Sequence, residues 1–196
     1  MFAFDKLEVM TVQQTIQFID QALSDTLNLY QEWYRIDSEM LGFQPAAGWR
    51  IEQILEHVTL TNYYLLILIR KGRRRALELA SKVDLEQEVA SYENNLGALD
   101  RIAQDQSLKW IRPDHMEPTG DKSLAEIQSL MIEQINECRQ ILAEIPNGEG
   151  ILAKTTMTVA DLGKIDVYQY IYFLCQHARR HISQMELVRE AYWNRL

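Results

Sequence analysis

Hydrophobic residues recur along most of this chain at the three- and four-residue spacing of amphipathic helices. In the first such segment this spacing relates five residues, Ile16, Ile19, Leu23, Leu27 and Tyr30. Residues at this spacing lie on one face of a helix, so each helix has one apolar face to pack into a shared core. The pattern predicts four long helices, over residues 12–40, 50–72, 123–145 and 166–193.

Polar residues and glycines indicate where these helices begin and end. Three pairs have the spacing of a capping box, in which two side chains satisfy free N–H groups at a helix start. The pairs are Thr11 with Gln14, Ser123 with Glu126, and Asp166 with Gln169. Gly42 is predicted to end the first helix and Gly72 the second, since glycine favours helix termination.

The segments between the long helices are shorter or more polar. We predict a smaller helix over residues 85–103 and a loop over residues 110–120. Residues 151–163 contain enough β-branched residues for a short strand, but we predict an ordered crossover loop. The sequence therefore predicts an all-α four-helix bundle with one additional short helix and long crossover connections, in a single domain over residues 1–196.

The composition excludes several classes of protein. Apolar residues make up 47 % of the chain and charged residues 24 %, as in ordinary soluble proteins. A net charge of −8 argues against general nucleic-acid binding. The apolar run over residues 63–69 is too short to cross a membrane, and residues 1–6 do not resemble a signal peptide. We therefore expect a cytoplasmic protein in which Cys138 and Cys175 are reduced, buried thiols.

One local exception to the acidic balance is a basic cluster, which consists of Arg70, Lys71, Arg73, Arg74 and Arg75. Because the second helix is predicted to end at Gly72, we interpret these cations as complementing the dipole at a helix C-terminus. A contact with an anion or an acidic substrate is the alternative.

Three of the four histidines have a pattern typical of a metal site. His177 and His181 are four residues apart and follow an apolar stretch of the last predicted helix. They can therefore reach a common point from one helix face. His57 lies in the second predicted helix, and the fold must bring it to the same point. Three neutral imidazoles would hold a divalent ion and leave coordination positions open, as in catalytic metal sites.

Several residues could assist such a site. Gln184 follows His181 by three residues, so its amide could orient that ring. Tyr64 shares the helix face of His57, and Tyr170 lies two turns before His177. Each tyrosine could pack in the core or donate its hydroxyl to a substrate or to metal-bound water.

Two further residues, His115 and Cys175, were considered as possible contributors to the metal site. His115 lies in the proline-containing loop, where a surface histidine is favoured over a fourth ligand or a proton shuttle. Cys175 is rotated about 200° around the helix axis from His177, so it is predicted to face away from the metal.

The sequence resembles the DinB/YfiT-like family of metal-binding four-helix bundles. The resemblance rests on the tryptophan-led segment 49–57, which ends in His57, and on the HxxxHxxQ pattern of residues 177–184. Residues 163–166 and the loop over 113–120 also fit, so the similarity spans about residues 11–190. One departure is Arg50, where the family usually has a serine or threonine that caps the helix.

The resemblance implies that His57, His177 and His181 bind one divalent metal, which is zinc, nickel, manganese or iron in different family members. It also implies a homodimer. Characterised members include low-molecular-weight-thiol S-transferases and a thiol-dependent isomerase. We therefore expect a metal-dependent thiol S-transferase or hydrolase acting on a small-molecule substrate, with no nucleic-acid or membrane partner. The alternatives are a non-catalytic metal- or small-ligand-binding stress-response bundle and a dimeric scaffold.

Overall fold

A computed structural model describes residues 10–105, 113–157, 159 and 162–195. Within these residues the chain forms α-helices α1 (Val12–Trp33), α2 (Ser38–Leu41), α3 (Ile51–Ala80), α4 (Leu85–Ala90), α5 (Leu96–Gln104), α6 (Leu124–Glu144) and α7 (Val167–Trp193). Strands β1 (Thr155–Met157) and β2 (Gly163–Ile165) form an antiparallel hairpin. Short 3₁₀ turns cover Asp114–Met116 and Glu149–Leu152. The prediction of an all-α bundle is confirmed.

The four long helices surround one hydrophobic core. Helices α1 and α3 each pack against both α6 and α7, so α1 and α3 occupy opposite corners of the bundle. Helix α5 packs on the outside of α7. This arrangement places α3, which carries His57, directly beside α7, which carries His177 and His181.

Buried polar side chains connect neighbouring helices within this core. The Tyr30 hydroxyl of α1 donates to the Ala178 carbonyl of α7 at 2.9 Å. The Gln134 amide of α6 donates to the Thr59 carbonyl of α3 at 2.8 Å. Each bond satisfies a buried polar group and so fixes the register of one helix against the next.

The predicted helix starts are confirmed at all three capping boxes, before α1, α6 and α7. Arg50 precedes α3 in an extended conformation and its side chain makes no cap hydrogen bond. Its backbone N–H instead donates to Oε1 of Gln53 at 3.1 Å. The helix therefore begins where the resemblance places it, with the Gln53 half of a capping box present and the serine or threonine half missing.

The predicted end of the first helix was wrong. Helix α1 ends at Trp33, and the separate helix α2 begins after Asp37, whose carboxylate accepts from the Glu39 N–H at 2.7 Å. An aspartate in this role starts a new helix, so the apolar residues that follow it do not extend the old one.

The predicted end of the second helix was also wrong, because α3 continues through Gly72 to Ala80. A Cβ atom at Gly72 would lie 2.9 Å from Cγ2 of Val167, so glycine permits the close approach of α7. The basic cluster therefore lies within α3 and not at its C-terminus. Arg70 pairs with Glu137 and Arg73 with Glu144, both on α6, along a groove of about 880 Å³ remote from the histidines.

The intermediate segments also differ from the predictions. The helix predicted over residues 85–103 is two helices, α4 and α5, separated at residues 91–95. The segment predicted as a crossover loop over residues 151–163 contains a 3₁₀ turn and contributes to the β1–β2 hairpin. Residues 1–6 and 110–112, on which predictions were also made, lie outside the described residues.

Among the helices the structure describes, none has the length and apolar character required to span a membrane.

Candidate metal centre

The structure brings together the three histidines that the sequence singled out. His57 lies in the second turn of α3, and His177 and His181 lie one turn apart on α7. One ligating nitrogen from each ring lies within 4.8 Å of the others. Nε2 of His177 and Nε2 of His181 are 3.2 Å apart. His57 and His177 are buried and His181 is half-buried, so the cluster faces the interior.

Hydrogen bonds select which nitrogen of two rings is available as a ligand. Nδ1 of His57 lies 2.8 Å from the Met116 carbonyl oxygen. A carbonyl can only accept, so Nδ1 carries the proton and Nε2 keeps its lone pair. Nδ1 of His181 lies 2.8 Å from Oε1 of Gln184, which assigns the same tautomer. Gln184 thus occupies the orienting position expected from its spacing.

The donor set fits a divalent cation. Two nitrogen atoms bound to a tetrahedral zinc ion at about 2.0–2.1 Å are separated by about 3.3 Å, close to the observed separation of the His177 and His181 nitrogens. Burial lowers the pKa of His177 well below its usual value, and His181, His57 and Arg180 lower it further. His177 is therefore neutral at physiological pH, which is the form that coordinates metals.

Glu56, adjacent to His57, anchors the loop that orients His57. Its carboxylate is 1 % exposed and accepts from the Thr119 hydroxyl at 3.0 Å, the Gly120 N–H at 2.7 Å and the Lys122 ammonium at 3.2 Å. Burial raises the pKa of Glu56, but these hydrogen bonds outweigh it and lower the pKa overall. An ionised Glu56 therefore fixes the loop whose Met116 carbonyl holds the His57 ring.

The histidines open onto a cavity of about 620 Å³ between α3, α7, the hairpin and the 113–122 loop. Trp49 packs against the His57 ring, with centroids 4.8 Å apart. The described residues that line the cavity are Gly48, Trp49, His57, Thr61, Leu65, Leu68, Pro113, Met116, Thr156, Met157, Val159, Tyr170, Phe173, His177, Arg180, His181 and Gln184. This volume suits a small molecule.

The two tyrosines proposed as helpers have different positions. Tyr170 lines the cavity, and its hydroxyl donates to the Thr156 carbonyl of β1 at 3.2 Å. Burial raises its pKa. Tyr64 is not among the described lining residues; its ring packs against exposed His115 at a centroid distance of 4.3 Å. His115 is likewise outside both the histidine cluster and the described lining.

Both cysteines are buried free thiols, and neither is among the described residues that line the cavity. Burial raises the pKa of Cys175 to about 12, so it remains a thiol at physiological pH. The prediction that Cys175 faces away from the histidines is confirmed. A thiol that reacts in this cavity would therefore come from a second molecule.

Three contributors to the site were missed from the sequence. The role of the Met116 carbonyl could not be predicted from the sequence, because every residue has a backbone carbonyl. Glu56 left little signal, because its partners are more than sixty residues away. Arg180 could have been found, since it is three residues after His177 and so shares its helix face. Its Nη1 donates to the carbonyls of Ile102 and Asp105, and its side chain lines the cavity.

Comparison with known proteins gives a family assignment. Residues 18–185 match the model of the DinB superfamily. The chain is 22 % identical over 165 residues to "Uncharacterized protein YuaE" of Bacillus subtilis (strain 168), in an alignment that covers 84 % of this chain and 92 % of YuaE. No solved structure matches the chain. Because the family model spans most of its length and the fold is the expected helical bundle, the chain belongs to the DinB superfamily.

Proposed function

We propose that this protein is a metal-dependent enzyme in which His57, His177 and His181 hold one divalent ion beside a substrate cavity. The observation that carries the proposal is the cluster of three imidazoles, at least one of them held neutral by burial, opening onto a cavity of about 620 Å³. The resemblance gives zinc, nickel, manganese or iron as candidates, and imidazole binds several first-row divalent ions, so the proposal names a divalent ion only by class.

The reaction class follows from the ligand number. Three protein ligands leave coordination positions for a water or a substrate, whereas structural sites are normally closed by four. A divalent ion held in this way lowers the pKa of a bound water or thiol and supplies a nucleophile at neutral pH. The proposed reaction is therefore attack of the bound water or thiol on an electrophile, which is a hydrolysis or a thiol S-transfer. The resemblance to thiol S-transferases of the family gives a low-molecular-weight thiol as the expected co-substrate of the transfer.

The chain's own residues orient the ligands and shape the cavity. The Met116 carbonyl and the Gln184 amide hold the His57 and His181 rings in the ligating tautomer. Apolar side chains, including Trp49 and Phe173, exclude water from one side of the substrate. Tyr170 uses its hydroxyl proton in the bond to Thr156, so its role here is to hold the hairpin as a cavity wall.

A non-catalytic binding bundle is the alternative function. A fourth protein ligand would favour it, and His115 was the candidate. In the part of the chain that the structure describes, the cluster of potential ligands contains three residues, and His115 packs on Tyr64. The lack of a fourth ligand among the described residues and the cavity beside the cluster both favour the enzyme.

Metal content tests the site directly. Protein purified without a histidine tag is expected to contain about one divalent ion per chain, measured by elemental analysis. His181→Ala is expected to lose most of it, because two remaining imidazoles hold a divalent ion weakly. His115→Ala is the matched control and should keep its metal. Equal metal content in the His181→Ala variant and the wild type would refute the assignment.

Turnover tests the reaction class. The protein is assayed with a panel of thiols, each combined with chlorinated aromatic and ester electrophiles, before and after treatment with a chelator. We expect at least one combination to give turnover that is lost with the chelator and restored by the metal. A metal-replete protein without chelator-sensitive turnover on any combination supports the binding bundle instead.

A further inference from the structure

The face of α3 that lines the cavity presents its side chains in a definite order. His57, Thr61, Leu65 and Leu68 all line the cavity and are three or four residues apart, so they lie along one face of the helix. Because a helix rises about 1.5 Å per residue, Thr61 lies about 6 Å along the axis from His57, and Leu65 about 12 Å. A ligand that lies along α3 therefore meets the proposed metal site first, then a hydroxyl, then apolar surface.

The buried hydroxyl of Thr61 has a weak partner. The residue is 6 % exposed, and among the described residues its hydroxyl donates to Sδ of Met116, at a distance of 3.9 Å. A thioether sulfur is a weak acceptor. Thr59 on the same helix is different, because its hydroxyl donates to the Glu56 carbonyl at 2.8 Å. The Thr61 hydroxyl therefore keeps most of its donor capacity for a molecule in the cavity.

A buried donor with a weak partner favours a ligand that supplies a better acceptor. An oxygen atom opposite Thr61 restores the hydrogen bond that the hydroxyl lost on burial, whereas an apolar group at this position leaves that bond unmade. A carbonyl oxygen has two lone pairs and no proton, so it matches a wall that offers one donor. Leu65 and Leu68, farther along α3, match an apolar group. The order of side chains along α3 therefore sets the order of groups along the ligand.

We propose that the cavity binds a substrate with a carbonyl oxygen beside its reacting end and an apolar body beyond it, and that Thr61 donates a hydrogen bond to this oxygen. Leu65 and Leu68 contact the apolar body. Thr61 is then the residue that distinguishes a carbonyl compound, such as an ester, thioester or ketone, from an apolar molecule of the same shape. The placement of the reacting end at the histidines rests on the proposed function, whereas the hydrogen bond from Thr61 does not require it.

Two ligands of the same shape test the hydrogen bond. Acetophenone and α-methylstyrene differ only in a carbonyl oxygen and the CH₂ group that replaces it. Their affinities for the purified protein are measured by ligand-observed NMR titration. The ratio of the two affinities is then compared between protein variants, which cancels the difference in hydration between the ligands and any contact with a metal. Failure of acetophenone to bind the wild type at its solubility limit would overturn the inference.

Variants assign the carbonyl contact to Thr61. Thr61→Val removes the hydroxyl and keeps the shape of the side chain, and we expect the acetophenone-to-α-methylstyrene ratio to fall about fivefold or more, as for the loss of one buried hydrogen bond. Thr61→Ser keeps the hydroxyl and should keep most of the ratio. Thr59→Val is the matched control, because Thr59 is 2 % exposed on the same helix and is not among the described lining residues. An unchanged ratio in Thr61→Val, or an equal fall in Thr59→Val, contradicts the role of Thr61.

A spectroscopic measurement keeps the hydrogen bond testable if Thr61→Val does not fold. The ¹³C resonance of acetophenone labelled at its carbonyl carbon moves downfield when the oxygen accepts a hydrogen bond. In wild-type protein treated with a chelator, we expect the bound resonance to lie near its position in methanol. A bound resonance near the position in cyclohexane would show a carbonyl without a donor and would exclude the contact. Failure of the proposed function is distinguishable, because it appears as missing metal or missing turnover, and neither enters these measurements.

Discussion

At the scale of single residues, the orientation of His57 depends on contacts that are distant in sequence. The spacing of His177 and His181 predicts that they share a helix face, and the structure places their nitrogens 3.2 Å apart. The tautomer of His57, in contrast, is set by the carbonyl of Met116, which is 59 residues away. Local periodicity carries no information about such a contact. The three histidines and the Gln184 contact of His181 could therefore be predicted, whereas the contact that orients His57 could not.

Glu56→Gln is expected to weaken metal binding about tenfold, as for other groups that orient a metal ligand indirectly. A neutral amide lacks the charge that holds Lys122 and presents an NH₂ group toward one of the donors Thr119 and Gly120. The loop then holds Met116, and through it His57, less firmly. The measurement is a competition titration against a chelator of known affinity.

Glu52→Gln is the matched control for this prediction, because Glu52 lies on the same helix with a 40 % exposed side chain that pairs with Arg50. Its metal affinity should be close to that of the wild type. If the effect came from loss of negative charge near α3 and not from the loop contact, Glu56→Gln and Glu52→Gln would lose metal affinity equally, which would contradict the prediction.

At the scale of helices and strands, the sequence predicted the starts of helices better than their ends. The three capping boxes are local patterns of two side chains, and all three form. The predicted end of α3 failed because Gly72 has a packing role: it lies where α7 approaches, and a larger side chain would collide with Val167. A glycine that ends a helix and one that permits close packing look alike in the sequence.

The buried cap of α7 gives a prediction about pH. Asp166 accepts from the Gln169 N–H and the Tyr92 hydroxyl, each at 2.9 Å. Burial raises its pKa from 3.8 to about 6 despite these bonds. The folded state therefore holds the proton more tightly than the unfolded state, so the stabilisation from Asp166 is complete below pH 3.8 and is lost as the pH rises through about 6.

Asp166→Asn isolates this effect, because asparagine also caps helices but does not titrate. The free energy of unfolding of the wild type, relative to that of the variant, is expected to fall by on the order of 2–3 kcal/mol between pH 4 and pH 7. Urea denaturation at several pH values measures it. A difference that stays constant over this range would contradict the raised pKa of Asp166.

At the scale of the whole molecule, the site joins two helices that are far apart in the chain. His57 and His177 are separated by 120 positions, and they meet because α3 packs directly against α7. The sequence predicted the helices and the bundle, but not which helices are neighbours, since their apolar faces are chemically similar. A single domain, a homodimer and a cytoplasmic location stay predictions; sedimentation of the purified protein measures the oligomeric state.

Because an ion would bridge α3 and α7, metal binding is expected to stabilise the entire fold. A ligand present at one hundred times its dissociation constant adds about 2.7 kcal/mol to the free energy of unfolding when it binds only the folded state. Thermal unfolding with added metal should therefore show a higher Tm than unfolding with a chelator. His181→Ala should show no such difference. The same Tm in both conditions for the wild type would exclude a bridging ion.

The backbone and the side chain of Met116 have separate roles, so related proteins can change one without the other. Its backbone oxygen keeps the His57 ring in place, and its side chain forms part of the cavity wall. Every amino acid supplies the same backbone oxygen, whereas side chains differ in size and polarity. Replacement of Met116 can thus alter which molecules fit the cavity without moving the His57 ring, so the proposed metal site can be inherited unchanged while the shape of the cavity beside it evolves.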